Sequence, residues 1–556
     1  MRKLVITAAA LLAAAVVALR LTAPPPAASA SPVFDARLLA TTVPGAWHVH
    51  STVSDGAASR DEIAAAAARA GLRFVVFTDH GDGTRPPDPP RYAHGVLCID
   101  AVEISTSGGH YVALDMRQAA YPLGGEAAAV IEDVRRLGGF GVVAHPYSAK
   151  PALRWTRWDA PFDGIEWLNA DSEWRDESLR SLIRLPFDYL LRPVPALVST
   201  FDRPVAALEA WDAITARRPL VGLAAHDAHG SLTGREEGDG FRLPGFPSYQ
   251  ASFTSFSLRA IVNSALSGSA ADDARLVLDA IRRGRIFSAM DAIARPAQLD
   301  FTAIAGATEA MMGDALPFDS AIELIVRSTL PDGGVLVLVC DGRPVGESVS
   351  GELRIRPNAP TACRPEVRAP EAPGDPPVPW IVGNPIYLLS AVTEPIGSEP
   401  LFETTLSLDH LEWTVEKDPD TEALLRPERG AFTLEYLLAD GERENQYVAA
   451  AAPLAPPVPP FDQILFTAES ASPMRVSVQL RFDGGERWTQ SVYVEPDARR
   501  AIIPTASLVR AGGPAEPRPD FRNASTILFV VDMVNARPGA SGILRVSDLA
   551  LGRMIR

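Results

Sequence analysis

Histidines and carboxylates of the kind that bind transition metals recur through the first half of the chain. Eight of the nine histidines lie before residue 230. His48 and His50 are two residues apart, and side chains at that spacing on a strand point the same way, so both imidazoles can reach one ion. Asp227 and His229 repeat this spacing. Mixed imidazole and carboxylate ligands suit Zn, Mn or Fe, so these residues predict a metal site.

The candidate ligands occupy five short segments, each beside a segment predicted to be a strand. They contain His48, His50 and Asp55; Asp79 and His80; Glu103 and His110; His145; and Asp227 and His229. One such motif arises often by chance, whereas five in order favour a shared site. In a (β/α) barrel the strand ends converge on one face, where active sites are built.

The pattern of apolar and polar residues changes near Asp300. From about Thr42 to Ser288 short apolar runs alternate with amphipathic stretches, as in repeated β-α units. Within this part, Ser59 and Glu62 form a capping-box pattern ahead of an Ala-rich helix. Later segments are β-rich and separated by Gly, Pro and Asp turns. We therefore predict a first domain at 31–300, β-sandwich-like domains at 301–450 and 461–556, and a Pro-rich linker at 451–460.

Composition and the N-terminus narrow the class of protein. The 556 residues are 47% hydrophobic and 22% charged, which is typical of folded domains. The net charge of −16 and the lack of a basic run argue against a nucleic-acid scaffold. A signal peptide is predicted at 1–30, because Arg2 and Lys3 precede an apolar run at 4–19 and small residues at 28–30. It implies an exported protein, periplasmic or extracellular. An uncleaved membrane anchor is the alternative. Cys340 and Cys363 could pair after export.

The five segments resemble the polymerase-and-histidinol-phosphatase (PHP) superfamily of metal-dependent hydrolases. The matching stretches are WHVHSTVSDG, VVFTDH, VEIS with the later GGH, VVAHP and HDAH, within about residues 46–230; LDAIRRGRIF downstream is also similar. The resemblance implies an α/β fold, a distorted (β/α)7 barrel holding two or three divalent ions. The SDG in the first motif is similar to the branch that includes carbaryl-hydrolase-like proteins.

Carried over residue by residue, the resemblance implies metal ligation by His48, His50, Asp55, His80, Glu103, His145, Asp227 and His229. It implies a hydroxide between the ions as nucleophile, with Asp79 and His110 as catalytic side chains. His110 is open to three interpretations: a ligand, a substrate contact or a structural residue. His226 stands where relatives commonly have Ser and is expected to support a ligand instead of binding an ion.

Substrate residues are less clearly marked. Arg154 and Arg157 alternate with tryptophans and could clamp a phosphate, or could pack on the surface. The stretch 179–204 is either a lid or a packing helix. Asp163 and Glu166 either orient ligands or lie at a strand edge.

We therefore expect an exported metal-dependent hydrolase of a small-molecule phosphate ester. A hydrolase of carbamates, amides or carboxyl esters with the same metal site is the second interpretation. A cell-envelope binding protein that keeps metal for stability is the third. In the last domain, segment 487–493 is either a carbohydrate-binding face or an ordinary amphipathic strand.

Overall fold

A computed structural model describes residues 25–175, 177–233, 242–390, 402–441, 446–512 and 517–555. Most of the predicted signal peptide or anchor lies outside these residues. Within them, no helix has the length and apolar character required to cross a membrane. Ala28–Ser29, at the predicted cleavage site, pairs in parallel with Ala294–Arg295.

The described residues contain helices and strands that we number along the chain. The helices are α1 (Ala36–Ala40), α2 (Arg60–Arg69), α3 (Ala127–Arg136), α4 (Ala170–Glu173), α5 (Leu179–Leu191), α6 (Pro193–Val198), α7 (Val205–Thr215), α8 (Tyr249–Ser255) and α9 (Ala270–Arg282). The strands up to residue 295 are β1 (Ala28–Ser29), β2 (Thr42–Val49), β3 (Phe74–Phe77), β4 (Arg91–Ala93), β5 (Val96–Thr106), β6 (Gly109–Leu114), β7 (Phe140–Val143), β8 (Gly164–Asn169), β9 (Val221–Ala225), β10 (Ser231–Thr233), β11 (Arg242–Pro244), β12 (Ser257–Ile261), β13 (Ile286–Ala289) and β14 (Ala294–Arg295). The next strands are β15 (Leu299–Ala305), β16 (Thr308–Met311), β17 (Ala315–Pro317), β18 (Glu323–Ser328), β19 (Val335–Cys340), β20 (Arg343–Ser348), β21 (Glu352–Ile355), β22 (Thr361–Arg368), β23 (Ile381–Gly383) and β24 (Ile386–Leu389). The last are β25 (Phe402–Ser407), β26 (Thr414–Lys417), β27 (Glu422–Glu428), β28 (Ala431–Leu437), β29 (Tyr447–Pro453), β30 (Gln463–Ser470), β31 (Met474–Arg481), β32 (Arg487–Val494), β33 (Arg499–Pro504), β34 (Val509–Arg510), β35 (Thr526–Asp532) and β36 (Ser541–Met554).

The candidate ligands lie along a sixteen-stranded mixed sheet. Its main path runs β17-β24-β22-β23-β13-β12-β2-β3-β5-β6-β7-β8-β9. β3 is buried along its whole length, because the sheet is covered on both faces there and its apolar side chains pack on each side. Helix α2 begins at the predicted capping box, in which Ser59 accepts from the backbone N–H of Glu62 and the Glu62 carboxylate accepts from that of Ser59.

The predicted fold, a distorted (β/α)7 barrel followed by two β-sandwiches, is wrong. β6 is antiparallel to both β5 and β7, and β12 is antiparallel to both β2 and β13. Two residues, Ser107 and Gly108, connect β5 to β6, whereas a parallel connection requires a crossover of about a dozen residues. A sequence in which apolar and amphipathic segments alternate does not show whether two strands are joined by a hairpin or by a crossover. Strands β17, β19, β20 and β22–β24 extend the same sheet, and β16-β15-β18-β21 form a four-stranded sheet that shares its core.

A β-sandwich lies at the C-terminal end of the described residues. Its two six-stranded sheets are β27-β28-β36-β30-β33 with β25 on β36, and β26-β29-β35-β31-β32-β34. Side chains such as Val478, Phe466 and Phe529 form one core between them. β29 includes the first residues of the predicted linker at 451–460 and pairs with β35, which follows that linker, so strands before and after it belong to the same sandwich.

A disulfide links two strands of the mixed sheet, and a buried ion pair joins the helix beside that sheet to the sandwich. Cys340 and Cys363 face each other on β19 and β22 and form a disulfide. Arg475 on β31 donates to Asp133 on α3 with both Nε and Nη2, at 2.7 and 2.9 Å. This buried pair joins the sandwich to the helix beside the mixed sheet.

Candidate metal centre

The ends of neighbouring strands bring the candidate ligands together. β2, β3 and β5 run parallel, which places His48, His50, His80 and Glu103 at one edge of the sheet. A short ladder adds the segment after β9: the Ala228 N–H donates to the His48 carbonyl, and the His50 N–H donates to the Ala228 carbonyl. Asp227 and His229 flank Ala228 and are therefore held beside the two histidines of β2.

Glu103 lies at the centre of the cluster. Its side chain is 1% exposed, and five imidazole nitrogens lie within 3.3 Å of its two oxygens. Oε2 is 3.2 Å from His48 Nε2, 3.2 Å from His50 Nε2 and 3.3 Å from His80 Nδ1, and Oε1 is 2.8 Å from His110 Nδ1 and 3.0 Å from His145 Nε2. One carboxylate thus contacts five imidazoles that come from four segments of the chain.

Asp227 and Asp55 extend the cluster on either side of His229. Asp227 Oδ1 is 3.4 Å from Nε2 of both His48 and His50, and 3.6 Å from His229 Nδ1. Asp55 Oδ2 is 3.2 Å from His229 Nε2 and 3.6 Å from His80 Nε2. Many of these separations exceed ordinary hydrogen bonds. They match the spacing of about 3.4 Å between two ligands that each bind a tetrahedral ion at ~2.0–2.1 Å.

Three overlapping groups of ligand atoms, each lying within 4.8 Å of one another, could hold ions. They are His50, Asp55, His80 and His229; His48, His50 and Glu103; and His80, Glu103 and His110. His145 and Asp227 touch these groups through Glu103, His48 and His50. The structure therefore brings together all eight predicted ligands and also His110.

The residues present fit a divalent cation. His50 Nδ1 is buried, lies 3.4 Å from Asp55 Oδ1 and has no hydrogen-bond partner among the described residues. His48, His145 and Asp227 have φ values of 62°, 29° and 46°, in the left-handed region that non-glycine residues rarely adopt. Strain of this kind persists where the surrounding structure enforces it and is concentrated at functional sites. An ion bound to these side chains would offset that strain.

The electrostatics favour positive charge in the cluster. Burial by itself lowers the pKa of His48, but Asp227, Glu166 and Glu103 outweigh burial and raise that pKa well above its usual value. Burial by itself raises the pKa of Glu103, yet the surrounding histidines, His48 foremost, hold it well below its usual value. The carboxylates are therefore ionised, and they stabilise whichever cation, proton or metal, lies among them.

Glu166, on β8, orients the ligands His48 and His145. Its Oε1 lies 2.6 Å from His48 Nδ1 and accepts from Trp47 Nε1 at 3.0 Å. Its Oε2 accepts from the backbone N–H of His145. Because Glu166 engages Nδ1, Nε2 of His48 faces Glu103, as in the carboxylate–histidine arrangements that support bound metals. Of the two alternatives for Glu166, the structure supports ligand orientation.

Asn169 is a residue of the candidate site that the sequence analysis missed. Its Nδ2 donates to Glu166 Oε2 at 2.9 Å and to Asp227 Oδ2 at 3.2 Å, so one amide links two strands of the site. It lies at the last position of β8. Its position at a strand end, which it shares with predicted ligands, is the feature of the sequence that could have identified it. Asp163, by contrast, pairs with Arg135 and accepts from the Gly141 N–H.

Asp79, predicted to be catalytic, has its carboxylate engaged outside the cluster. Oδ1 accepts from the Ser51 N–H at 2.7 Å, and Oδ2 accepts from Arg60 Nη2 at 2.7 Å. The backbone that follows His50 is thereby fixed in place. The structure assigns Asp79 to positioning and does not bring its oxygens to the ligand atoms.

His226 does not support a ligand directly. Its ring stacks on Phe256 at a centroid distance of 4.0 Å, and its nitrogens face the carbonyl oxygens of Trp47 and Phe256. Burial lowers its pKa to about 4. A neutral imidazole in this position packs beneath the Asp227 segment.

The two arginines predicted to bind substrate have partners of their own. Arg157 Nε and Nη2 each lie 3.0 Å from the exposed carboxylate of Asp159. Arg154 is exposed, and its Nε donates to the Ser148 carbonyl. These contacts match the surface-packing alternative.

At least three cavities border the cluster, and two of them differ clearly in character. A groove of about 1280 Å³ extends from His80 and Ser105 to the face of the sandwich sheet that carries Gln479 and Arg481. A smaller pocket of about 240 Å³ is bordered by Asp227 and His229 and is otherwise mostly apolar. The cluster is therefore approached by a polar groove at His80 and by an apolar pocket at His229.

No family model and no curated protein matches the chain. Among solved structures, a family 11 carbohydrate-binding module of the cellulase Lic26A-Cel5E of Clostridium thermocellum is 16% identical and covers 28% of this chain and 95% of its own, with a TM-score of 0.22. The N-terminal cellulose-binding domain of β-1,4-glucanase C of Cellulomonas fimi is 15% identical and covers 26% of this chain and 90% of its own, with a TM-score of 0.18. These TM-scores are too low to support a conclusion about this chain.

Proposed function

We propose that the protein is a divalent-metal-dependent hydrolase of the PHP superfamily that acts on phosphate esters. The observation that carries the proposal is the buried Glu103 carboxylate with five imidazoles within 3.3 Å. The proposal rests on this cluster and not on the fold that the superfamily resemblance implied. Bound divalent ions supply Lewis acidity and lower the pKa of a water molecule so that it can act as nucleophile.

The chain itself holds and orients the groups around the reacting ester. Glu103, Asp227, Asp55 and the imidazoles would bind the ions, and His110 belongs to this set because its Nδ1 lies 2.8 Å from Glu103. Glu166 and Asn169 keep the ligand atoms directed inward. Since Arg157 is paired with Asp159, charge on a phosphate would be neutralised chiefly by the ions.

Hydrolysis of a carbamate or carboxyl ester is the alternative activity. The apolar pocket beside His229 favours it, since the described residues that line this pocket include no lysine or arginine to hold an anion. Attack at carbon develops one oxyanion, which demands less positive charge than a phosphoryl group does.

The test combines metal analysis with a substrate screen. We expect purified protein to retain two or three equivalents of transition metal and to hydrolyse an aryl phosphate or a nucleotide, with inhibition by inorganic phosphate. Chelation followed by removal of the chelator should abolish turnover, and Zn, Mn or Fe should restore it. Turnover of neutral aryl carbamates alone would select the alternative. Metal that raises the thermal midpoint while no ester is cleaved under any divalent ion would instead indicate the binding-protein interpretation.

We also propose carbohydrate contact in the groove between the sandwich and the cluster. Gln446 and Gln479 line it, each is 6% exposed, and each has a side-chain carbonyl oxygen with no partner among the described residues. Buried unpaired amides are costly unless a ligand or water satisfies them, and hydroxyl groups of a sugar would do so. Tyr447 adds a partly exposed ring to the same groove.

Titration calorimetry with laminarin, xylan and carboxymethyl cellulose tests this contact. At least one should bind the full-length protein, and Gln479→Leu should weaken that binding about tenfold while Gln250→Leu, an exposed position on α8, should not. If all three polysaccharides fail to bind, or if Gln479→Leu binds as the wild type does, carbohydrate contact in this groove is rejected.

Export is the last part of the proposal. The cross-strand disulfide between Cys340 and Cys363 supports it, because disulfides persist in oxidising compartments. Fractionation of the producing cells tests it, and protein confined to the cytosolic fraction would contradict it.

A further inference from the structure

The apolar pocket beside His229 lies against the metal cluster. Its walls come from α5, α6 and the segment before α8, with Leu182, Leu185, Leu197 and Phe246 among the lining side chains. Asp227 and His229 form the side that faces the cluster. A molecule that occupied the pocket would therefore have one end at the ligands of the proposed ions.

Several polar groups in the wall are already paired with one another. Asp171 accepts from Arg175 at 2.7 Å and from Trp174 Nε1 at 3.2 Å. Thr200 and Ser255 donate to the carbonyl oxygens of Leu197 and Ser252. A ligand in the pocket would therefore contact mostly carbon atoms along these walls, and Asp227 and His229 would be the polar groups at one end.

The size of the pocket limits the group that fits. An apolar cavity of ~150 Å³ holds a benzene ring. At about 240 Å³, this pocket is large enough for an aromatic ring with several further carbons and too small for a long acyl chain. Apolar walls of this kind bind such a group by removing its surface from water.

We infer that this pocket binds the aryl or compact branched apolar group of the substrate, so that the substrates are esters of aromatic or similarly apolar alcohols. The inference rests on the proposed hydrolase function and specifies the substrate class of the same site. For an aryl phosphate, the bond between phosphorus and the aryl oxygen breaks and a bond from phosphorus to the water oxygen forms. One water proton ends on the aryl oxygen, and the products are the aryl alcohol and inorganic phosphate.

Helix α5 offers a matched pair of variants. Leu185 lines the pocket, whereas Leu190 on the same helix is 81% exposed and lies outside the lining. Leu185→Gln places an amide against apolar walls, where it disfavours an apolar ligand. Leu190→Gln makes the same chemical change in water.

The experiment compares 1-naphthyl phosphate with glycerol 2-phosphate on the full-length, metal-loaded protein. We expect kcat/KM to favour the naphthyl ester by at least tenfold, Leu185→Gln to lower this ratio at least tenfold, and Leu190→Gln to leave it unchanged. Phe246→Ala is the second pocket variant in case Leu185→Gln does not fold, because this ring is partly exposed and packs edge-on against Tyr189.

Fluorescence titration with 1-naphthol separates the inference from the proposed function. Binding that is weakened at least tenfold by Leu185→Gln or Phe246→Ala supports the pocket even if no phosphate ester is hydrolysed, in which case the hydrolase proposal alone fails. Hydrolysis of glycerol 2-phosphate with no preference for the naphthyl ester, together with 1-naphthol binding that neither pocket variant alters, overturns the inference and leaves the hydrolase proposal intact.

Discussion

Ionisable side chains are buried in two regions of this molecule, and the two regions treat charge in opposite ways. Between the sandwich and α3, the Arg475 guanidinium donates to Asp133 at 2.7 and 2.9 Å, to Glu132 at 2.7 Å and to the Ala129 carbonyl at 3.0 Å. Asp133 also accepts from Tyr121 and Arg136. The Arg475 and Asp133 charges are matched at hydrogen-bond distance, although Nε of the neighbouring Arg136 is buried without a hydrogen-bond partner among the described residues.

In the candidate metal cluster the charges are not matched in this way. Several of its nitrogen–oxygen separations are 3.2–3.6 Å, and His50 Nδ1 has no hydrogen-bond partner among the described residues. Three of its residues also have left-handed backbone conformations. Burial of charge alone, or a single unsatisfied atom, therefore does not indicate function. Buried charged groups at ligand-like spacing, held by a strained backbone, do indicate it.

The largest effect is expected from Glu103→Gln, which removes the charge at the centre of the cluster while keeping its shape. We expect loss of at least one metal equivalent and a kcat/KM lower by about 100-fold or more, because five imidazoles lose their shared carboxylate. Elemental analysis and steady-state kinetics measure the two effects. If this variant kept the wild-type metal content, Glu103 would not be a metal ligand and the cluster would not differ in function from the Arg475 region.

Arg475→Met should act on stability instead. It leaves Asp133 buried without its main cation, so we expect the free energy of unfolding to fall by ~3–5 kcal/mol. Chemical denaturation measures this change. The double variant Arg475→Met with Asp133→Leu should recover most of the loss, since it removes both charges, and the metal content should stay at the wild-type value in either variant. A double variant as unstable as the single one would show that the pair is not matched in the way described.

The smallest effect is expected from Glu166→Gln. This side chain orients His48 through a 2.6 Å contact and lies outside the three groups of ligand atoms. Removal of such a supporting carboxylate weakens metal affinity ~10–100-fold, and we expect a competition titration with a chelator to show a change of this size. Arg157→Ala, on the surface, serves as the control and should leave affinity unchanged. An unaltered affinity in Glu166→Gln would mean that Glu166 only packs at the strand edge.

Local patterns in the sequence carried much of the information about the site. The spacing of His48 and His50 places two imidazoles on one face because side chains on a strand alternate with a period of two residues. The Ser59 and Glu62 pattern identified the start of α2, since a helix cap depends on residues three apart. The residue types alone, imidazoles and carboxylates, indicated transition-metal chemistry.

Only the tertiary structure decided strand direction, domain grouping and the division of roles. An antiparallel hairpin at β5 and β6 and the pairing of β29 with β35 depend on strands choosing partners, and the local pattern is the same for either choice. Likewise Asp79 follows the end of β3 and Glu103 lies in the second half of β5, yet one carboxylate faces Arg60 and the other faces five histidines. What a residue type can bind is a local property of the sequence, whereas what it meets depends on the register of strands that are distant in the chain.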